Sequence, residues 1–280
     1  MRKSLFQILF AVLLACTFVV TSCKKDDEVQ AEEPVVEDNN TGFNESEDLV
    51  SISDEVMQTN SSSLRQTETG QNYYGATVTI TPKGQNATGK VVVDFGSTGI
   101  KGRDGRTRTG KIIITYTAVA PTKGATRVIT FDNYYVNGNK IEGTKTITFS
   151  NDPSNGVYTA NIISSLVITK SSGKIITWSC NRTRAYNTNN TPLNFTDDEI
   201  SITGTASGTT QNNIDFNVVV SSPLVFKASC LPTSGWVPVS GVLEVIPVDV
   251  ATRIVNYGNG DCDRKVTVTV EEKSYTITIR

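Results

Sequence analysis

The chain has 280 residues, enough for one large all-β domain or two small ones. Its formal net charge is −2 and it contains no histidine. That removes the commonest general base, the commonest metal ligand and every Ser-His or Cys-His nucleophile, so zinc, copper and non-haem iron centres are disfavoured while carboxylate chemistry stays open.

The near-neutral total conceals an asymmetry. Residues 24–55 hold 12 Asp and Glu against Lys24 and Lys25, whereas the 16 remaining acids face 22 bases beyond residue 55. The pattern reads as a solvated acidic tail on a mildly basic body.

Met1-Arg2-Lys3-Ser4 is a positive n-region and Leu5 to Val20 an apolar run interrupted only by Gln7 and Thr17. A run this short is the form of a signal peptide rather than a spanning helix. Small residues lead into a cysteine, and Val20-Thr21-Ser22-Cys23 resembles a bacterial lipobox. The resemblance implies cleavage after Ser22 and lipidation of Cys23, a multi-chain anchor that holds a protein stably on a membrane. The next residues, Lys24-Lys25-Asp26-Asp27-Glu28, resemble the Lys-plus-acids segment that sends Bacteroidetes lipoproteins to the outer face of the outer membrane. Residues 1–22 are thus read as signal peptide and 23–45 as a disordered, self-repelling tether with Pro34 and no apolar period.

The single domain is placed at 46–280. Leu49, Ile52, Val56 and Met57 are spaced for one short helix over 46–59. From Tyr73 onward the reading is strand after strand. Ala76/Val78/Ile80 alternate with Thr77/Thr79/Thr81, Val91–Phe95 returns, and Lys111–Thr117 follows a loop. Residues 128–149 read as one hairpin turning at Asn137-Gly138, the dipeptide that best tolerates positive φ at both central positions. On its second strand Ile141, Gly143, Lys145, Ile147 and Phe149 share one face and Glu142, Thr144, Thr146 and Thr148 the other. Strands 157–169, 174–183, 200–207 and 214–220 come next, the last with a continuation past Pro223 over 224–228. Segments 239–246 and 253–257 precede a final hairpin, in which Val266/Val268/Val270 lie against Tyr275/Ile277/Ile279. Short connections make neighbours antiparallel and sequential. Apolar and Thr-rich faces alternate, as in a sheet with one wet side. The fold expected is an all-β antiparallel meander of about a dozen strands, forming a curved sheet, half-barrel or sandwich. Gly143, Gly204 and Gly241 within strands predict bends or bulges.

Three cysteines remain beyond Cys16 and Cys23 in an oxidising compartment. Cys180 shares strand parity with Ile176 and Trp178 and reads as a buried free thiol. Of the three pairings available, Cys230–Cys262 is preferred, since both lie at strand ends or loops. It closes a loop of about 30 residues, worth ~3 kcal/mol in chain entropy.

Lys101–Lys111 is the most basic segment, and Arg103, Arg106 and Arg108 are candidate ligands for an anionic sugar or phosphate. It lacks the P-loop spacing, and without interleaved aromatics it is a poor nucleic-acid surface. Trp236 at a strand start, together with Tyr73, Tyr74, Tyr134, Tyr135, Trp178 and Tyr186, are candidates for a sugar-stacking platform, with core packing the default for most. Asn256–Asp263 has oxygen ligands near calcium-loop spacing but Thr267 where the bidentate Glu belongs, so it reads as a turn. The residues supply no catalytic set, no metal site and no cofactor.

The lipobox, Asn133–Gly138, Thr203–Thr209 and Asn256–Asp263 together resemble all-β lipoproteins of the Bacteroidetes type, a resemblance that brings no activity with it. The expectation is a lipid-anchored outer-membrane protein facing outward. Its role would be non-enzymatic, structural or accessory, with another envelope protein as partner. The alternative is a polysaccharide-binding accessory protein using exposed aromatics and the 101–111 loop.

Overall fold

The computed structural model describes residues 25–61, 75–81, 88–102, 104–150, 156–191, 194–230 and 237–279. One helix, α1 (Lys25–Ser61), precedes β1 (Thr77–Thr81), β2 (Gly89–Asp94), β3 (Ile100–Lys101), β4 (Thr107–Tyr116), β5 (Thr126–Val136), β6 (Asn139–Phe149) and β7 (Val157–Thr169). There follow β8 (Ile175–Asn187), β9 (Glu199–Thr209), β10 (Asp215–Lys227), β11 (Ser240–Pro247), β12 (Arg253–Asn259), β13 (Lys265–Val270) and β14 (Lys273–Thr278). All belong to one antiparallel meander in which each strand pairs with the next in sequence, except that β3 clips onto β4 and β2 passes it to reach β4 directly. The sheet is curved and open, with β1 and β14 at its edges. It is therefore neither a barrel nor a sandwich of two sheets.

The alternation of apolar and polar residues produces this directly. In β8 Ile176, Trp178 and Cys180 are buried while Asn181 and Thr183 are exposed. In β13 Val266, Val268 and Val270 are buried between exposed or half-buried neighbours. The 128–149 hairpin turns where expected, with Asn137 at φ 50 and Gly138 at φ 82, and Val136 paired to Asn139. Strand β10 runs through Pro223, as a bulge allows, and the registers with β9 and β11 both shift there. Curvature is built at the strand glycines. Gly143, Gly204 and Gly241 have φ between 111 and 116, and a Cβ at each would collide with the carbonyl of Ser165, Asn181 or Pro223 on the adjacent strand. Only glycine admits that approach, and it bends the sheet.

Residues 34–280 form one compact unit. The main difference from the sequence reading lies at its start. The segment expected to be a disordered tether over 23–45, and then a short helix over 46–59, is helical from Lys25 to Ser61, and from Pro34 onward it packs on the sheet. Val35, Val36, Phe43, Leu49, Val50, Ile52, Val56 and Met57 are buried there. Several of its polar residues are buried too, namely Asp38, Asn39, Ser46, Glu47 and Ser53. Composition alone argues for disorder when no partner compensates the charge; here the sheet supplies that compensation.

The helix lies along the inner face and touches strands across most of the sheet's width. Trp178 Nε1 on β8 donates to Asn39 Oδ1 at 3.1 Å, and Tyr257 Oη on β12 to Asn40 Oδ1 at 3.4 Å. Phe43 stacks on Phe226 of β10 with ring centroids 5.9 Å apart. Lys145 Nζ on β6 donates to the Ser46 carbonyl at 2.8 Å. The closest approach is at Gly42, where a Cβ would stand 2.6 Å from Trp178 Cβ and nearer still to Cγ. The disulfide expected between Cys230 and Cys262 is present, with Cα atoms 5.0 Å apart, and Cys180 is a buried free thiol.

Candidate functional site

The distinctive chemistry of the fold lies where α1 meets the sheet. Six basic residues share strand parity with core residues and therefore face inward: Arg108, Arg127, Lys145, Arg182, Arg184 and Arg253 are all less than a tenth exposed. On β6 Lys145 stands between Ile141 and Ile147. On β8 Arg182 and Arg184 continue the row of Ile176, Trp178 and Cys180. The helix brings the countercharge. Between Pro34 and Met57 it carries Glu37, Asp38, Glu45, Glu47, Asp48, Asp54 and Glu55 and no basic residue. Buried ions persist only when paired or hydrogen-bonded, so the two elements specify each other's position.

At one end Asp48 bridges two arginines, accepting from Arg106 at 2.6 Å and from Arg108 at 2.9 Å. Asp104 accepts from the same two residues at 2.9 and 2.5 Å, and Glu45 accepts from Arg106 at 3.1 Å. Burial alone would raise the Asp104 carboxyl, but hydrogen bonds from Arg108 and Arg106 hold it far below the usual carboxylate range. Burial pushes Glu45 up to about 7 against the attraction of Arg106, with Asp48 adding to the rise. In the middle, Asp54 is shared by Arg127 at 2.6 Å and Arg184 at 3.4 Å, while Arg184 also reaches Glu47 at 3.7 Å. Further along, Asp38 accepts from Lys170 Nζ at 3.1 Å and from the Gln211 backbone at 2.8 Å. Aromatic faces line the same seam. Arg127 lies 4.9 Å from the Phe149 ring, and Arg182 lies 4.5 Å from Phe43 and 5.0 Å from Trp178.

These contacts change the meaning of the basic 101–111 segment. Arg106 is about one-quarter exposed with three carboxylate partners, and Arg108 is fully buried, so its guanidinium is closed to a surface ligand. Lys111 is half-buried and paired to Asp94. Arg103 and Trp236 lie outside the described residues, as do Tyr73, Tyr74 and Cys23. Of the other aromatic candidates Tyr134 and Trp178 are core residues, while Tyr135 and Tyr186 are half-buried. Among the described residues no group of three or more His, Cys, Asp and Glu is placed to hold a metal ion. In the 256–263 turn, Asn256 and Asp263 accept instead from the backbone of Gly258 and Lys265.

A second feature lies on the organising hairpin. The register of β5 with β6 slips between Ile129 and Tyr135, with Asn133 at φ 47. This bulge opens a cleft of about 280 Å³ lined by Thr130, Phe131, Asp132, Asn133, Lys140 and Glu142 among others. Lys140 and Glu142 pair at 2.8 Å along its side.

Sequence reasoning passed over the inward cations and the long helix. Parity was the available signal: Lys145 already fell on the Ile141/Ile147 face, and Arg182 and Arg184 on the Trp178 face. Comparison with protein-family models, with curated proteins and with solved structures returns no match.

Proposed function

We propose that the chain is a lipid-anchored outer-membrane protein facing outward, whose β-domain has a structural or accessory, non-enzymatic role. One observation carries the second half of this reading. The concave face of a curved sheet is where such a fold would hold a ligand, and here α1 of the same chain fills it, with its carboxylates neutralising the sheet's cations. The anchor rests on the lipobox at Cys23 and the acidic segment behind it. Metabolic labelling with a palmitate analogue followed by membrane fractionation tests it. The native protein should label and sediment with outer membrane, and Cys23→Ala should do neither. Recovery of the native protein in the soluble periplasm would overturn the proposal.

A second reading, polysaccharide binding, is favoured by the bulge cleft rather than by the basic loop. Asp132, Asn133, Lys140 and Glu142 offer donors and acceptors beside the half-buried Phe131 ring, the mixture that sugar hydroxyls and a sugar face require. A glycan array with the full-length protein, and with Asp132→Ala and Glu142→Ala as controls, decides it. A hit lost in both variants supports this reading, and a blank array removes it.

A further inference from the structure

Every carboxylate on the buried side of α1 is committed. Asp38 serves Lys170 and Gln211; Glu45 and Asp48 serve Arg106 and Arg108; Glu47 and Asp54 serve Arg184 and Arg127. Two of the most deeply buried cations are left out. Arg182 is 1% exposed, and Nε and both terminal nitrogens have no hydrogen-bond partner. Phe43 and Trp178 cover the guanidinium faces at 4.5 and 5.0 Å, but ring faces do not satisfy the N–H groups, which point outward in the guanidinium plane. Lys145 is fully buried and donates only to neutral oxygens, the carbonyl and hydroxyl of Ser46, at 2.8 and 2.5 Å. The two belong to one neighbourhood. Lys145 pairs with Ser164 across β6–β7, Ser164 with Cys180 across β7–β8, and Arg182 is two residues beyond Cys180 on the same face. Cation–π contact offsets only part of the cost of taking a guanidinium out of water.

We propose that Arg182 and Lys145 hold a small inorganic anion of halide size in the seam between α1 and β6–β8. Glu47 of α1 acts on both charges from a distance while its ion pair goes to Arg184, so a water molecule would accept hydrogen bonds but add no countercharge. A halide neutralises charge and accepts N–H and O–H donors from any direction. The neighbours suit it, since Ser46 and Ser164 hydroxyls stand 3.4 Å apart beside Lys145 and each carries an O–H donor. The anion would then be part of the folded structure, locking the acidic helix to the sheet at a point where the nearby Glu47 is engaged by Arg184.

Lys145 makes the site sensitive to pH. Burial draws its ammonium down to about 8, against Glu47 of α1, with Arg182 and Arg184 of β8 adding to the fall; Cys180 of β8 also faces it, and Ser164 of β7 is its neutral neighbour. Loss of that proton weakens anion binding above pH 8.

The test is thermal unfolding of the full-length protein in detergent, with sodium chloride or bromide exchanged against sodium gluconate, whose anion is too large for the site, at constant ionic strength. The melting temperature should rise by about 3–5 °C for each tenfold increase in chloride or bromide once the site approaches saturation. The rise should shrink between pH 7 and 9 and vanish in Arg182→Met. Anomalous diffraction from crystals grown in bromide gives a readout that needs no variant, a bromide peak in contact with the Arg182 guanidinium. A water peak there, or equal halide dependence in Arg182→Met and the native protein, would overturn the proposal.

Discussion

Gly42→Ala offers the sharpest check on how α1 sits, because two arguments predict opposite signs. In an exposed helix interior the change stabilises by about 0.5–1 kcal/mol, since glycine loses more backbone entropy on folding. Here the new methyl would stand 2.5 Å from Trp178 Cδ1 and 2.6 Å from Trp178 Cβ, and closer to Cγ. A comfortable carbon contact is about 3.5–4.0 Å, so the helix must lift by roughly 1 Å or the indole must move. The indole is held by its bond to Asn39 and is fully buried, and its Cβ belongs to a central strand. Overpacking of this kind costs about 1–3 kcal/mol, and a lifted helix also loosens Phe43 from Phe226 and lengthens the ion pairs beside it. The net expectation is destabilisation by about 2–3 kcal/mol, read as a fall of about 5–10 °C in melting temperature for a domain of this size. Near-ultraviolet circular dichroism should report a changed Trp178 environment. An unchanged or raised melting temperature would refute the packing of α1 on β8.

Three further outcomes follow from the same seam and a fourth from the disulfide. Asp48→Ala removes the carboxylate that joins Arg106 to fully buried Arg108 and should cost about 3–5 kcal/mol in urea unfolding, toward the lower figure because Asp104 remains. Glu45 is raised from 4.5 to about 7 in the folded chain, which therefore binds more protons than the unfolded chain in that interval. Its contribution to stability falls as pH rises from 4.5 through 7, and Glu45→Gln should flatten the slope there. Lys145 is lowered from 10.5 to about 8, so the unfolded chain binds more protons between those values. Stability from this group rises across that window, and Lys145→Met should remove the rise. The disulfide Cys230–Cys262 spans 32 residues, and its double serine variant should lose about 3–4 kcal/mol, while Cys180 stays unlabelled by iodoacetamide until the protein unfolds.

The sheet was legible because its signals are local. Asn137-Gly138 carries its own turn conformation, and Val266/Val268/Val270 declare a buried face within six residues. The Cys230–Cys262 bridge was legible by exclusion once Cys180 took the parity of Trp178. Sheet against sandwich was not legible, since Gly143, Gly204 and Gly241 announce bends without giving their sum. Helix α1 was illegible for a different reason. Pro34, Asn39, Asn40 and Gly42 depress helix propensity, and seven acids without a base between Pro34 and Met57 predict repulsion. The compensating residues are scattered over β4, β5, β6 and β8 and the turns beside them, one or two to an element, and each such strand alone reads as an ordinary alternation with a polar residue on the wrong side.

That scattering gives the charge asymmetry its physical meaning. An acidic amino-terminal segment and a basic body suggest a tail in solvent, yet much of the difference is an internal neutralisation in which each half is the other's counterion. The helix has little reason to form by itself, whereas the meander can pair strand by strand from local turns, so the sheet should be assembled before α1 docks. Until then the inner face would expose Arg127, Lys145, Arg182, Arg184 and Arg253 beside Trp178 and Tyr257, a cationic and aromatic trough open to any polyanion. Tethering the matching acids to the same chain raises their effective concentration over a competitor's and closes the trough intramolecularly. The acids of α1 thus do two things at once: they fold a segment that composition says should not fold, and they deny the face it covers to other anions.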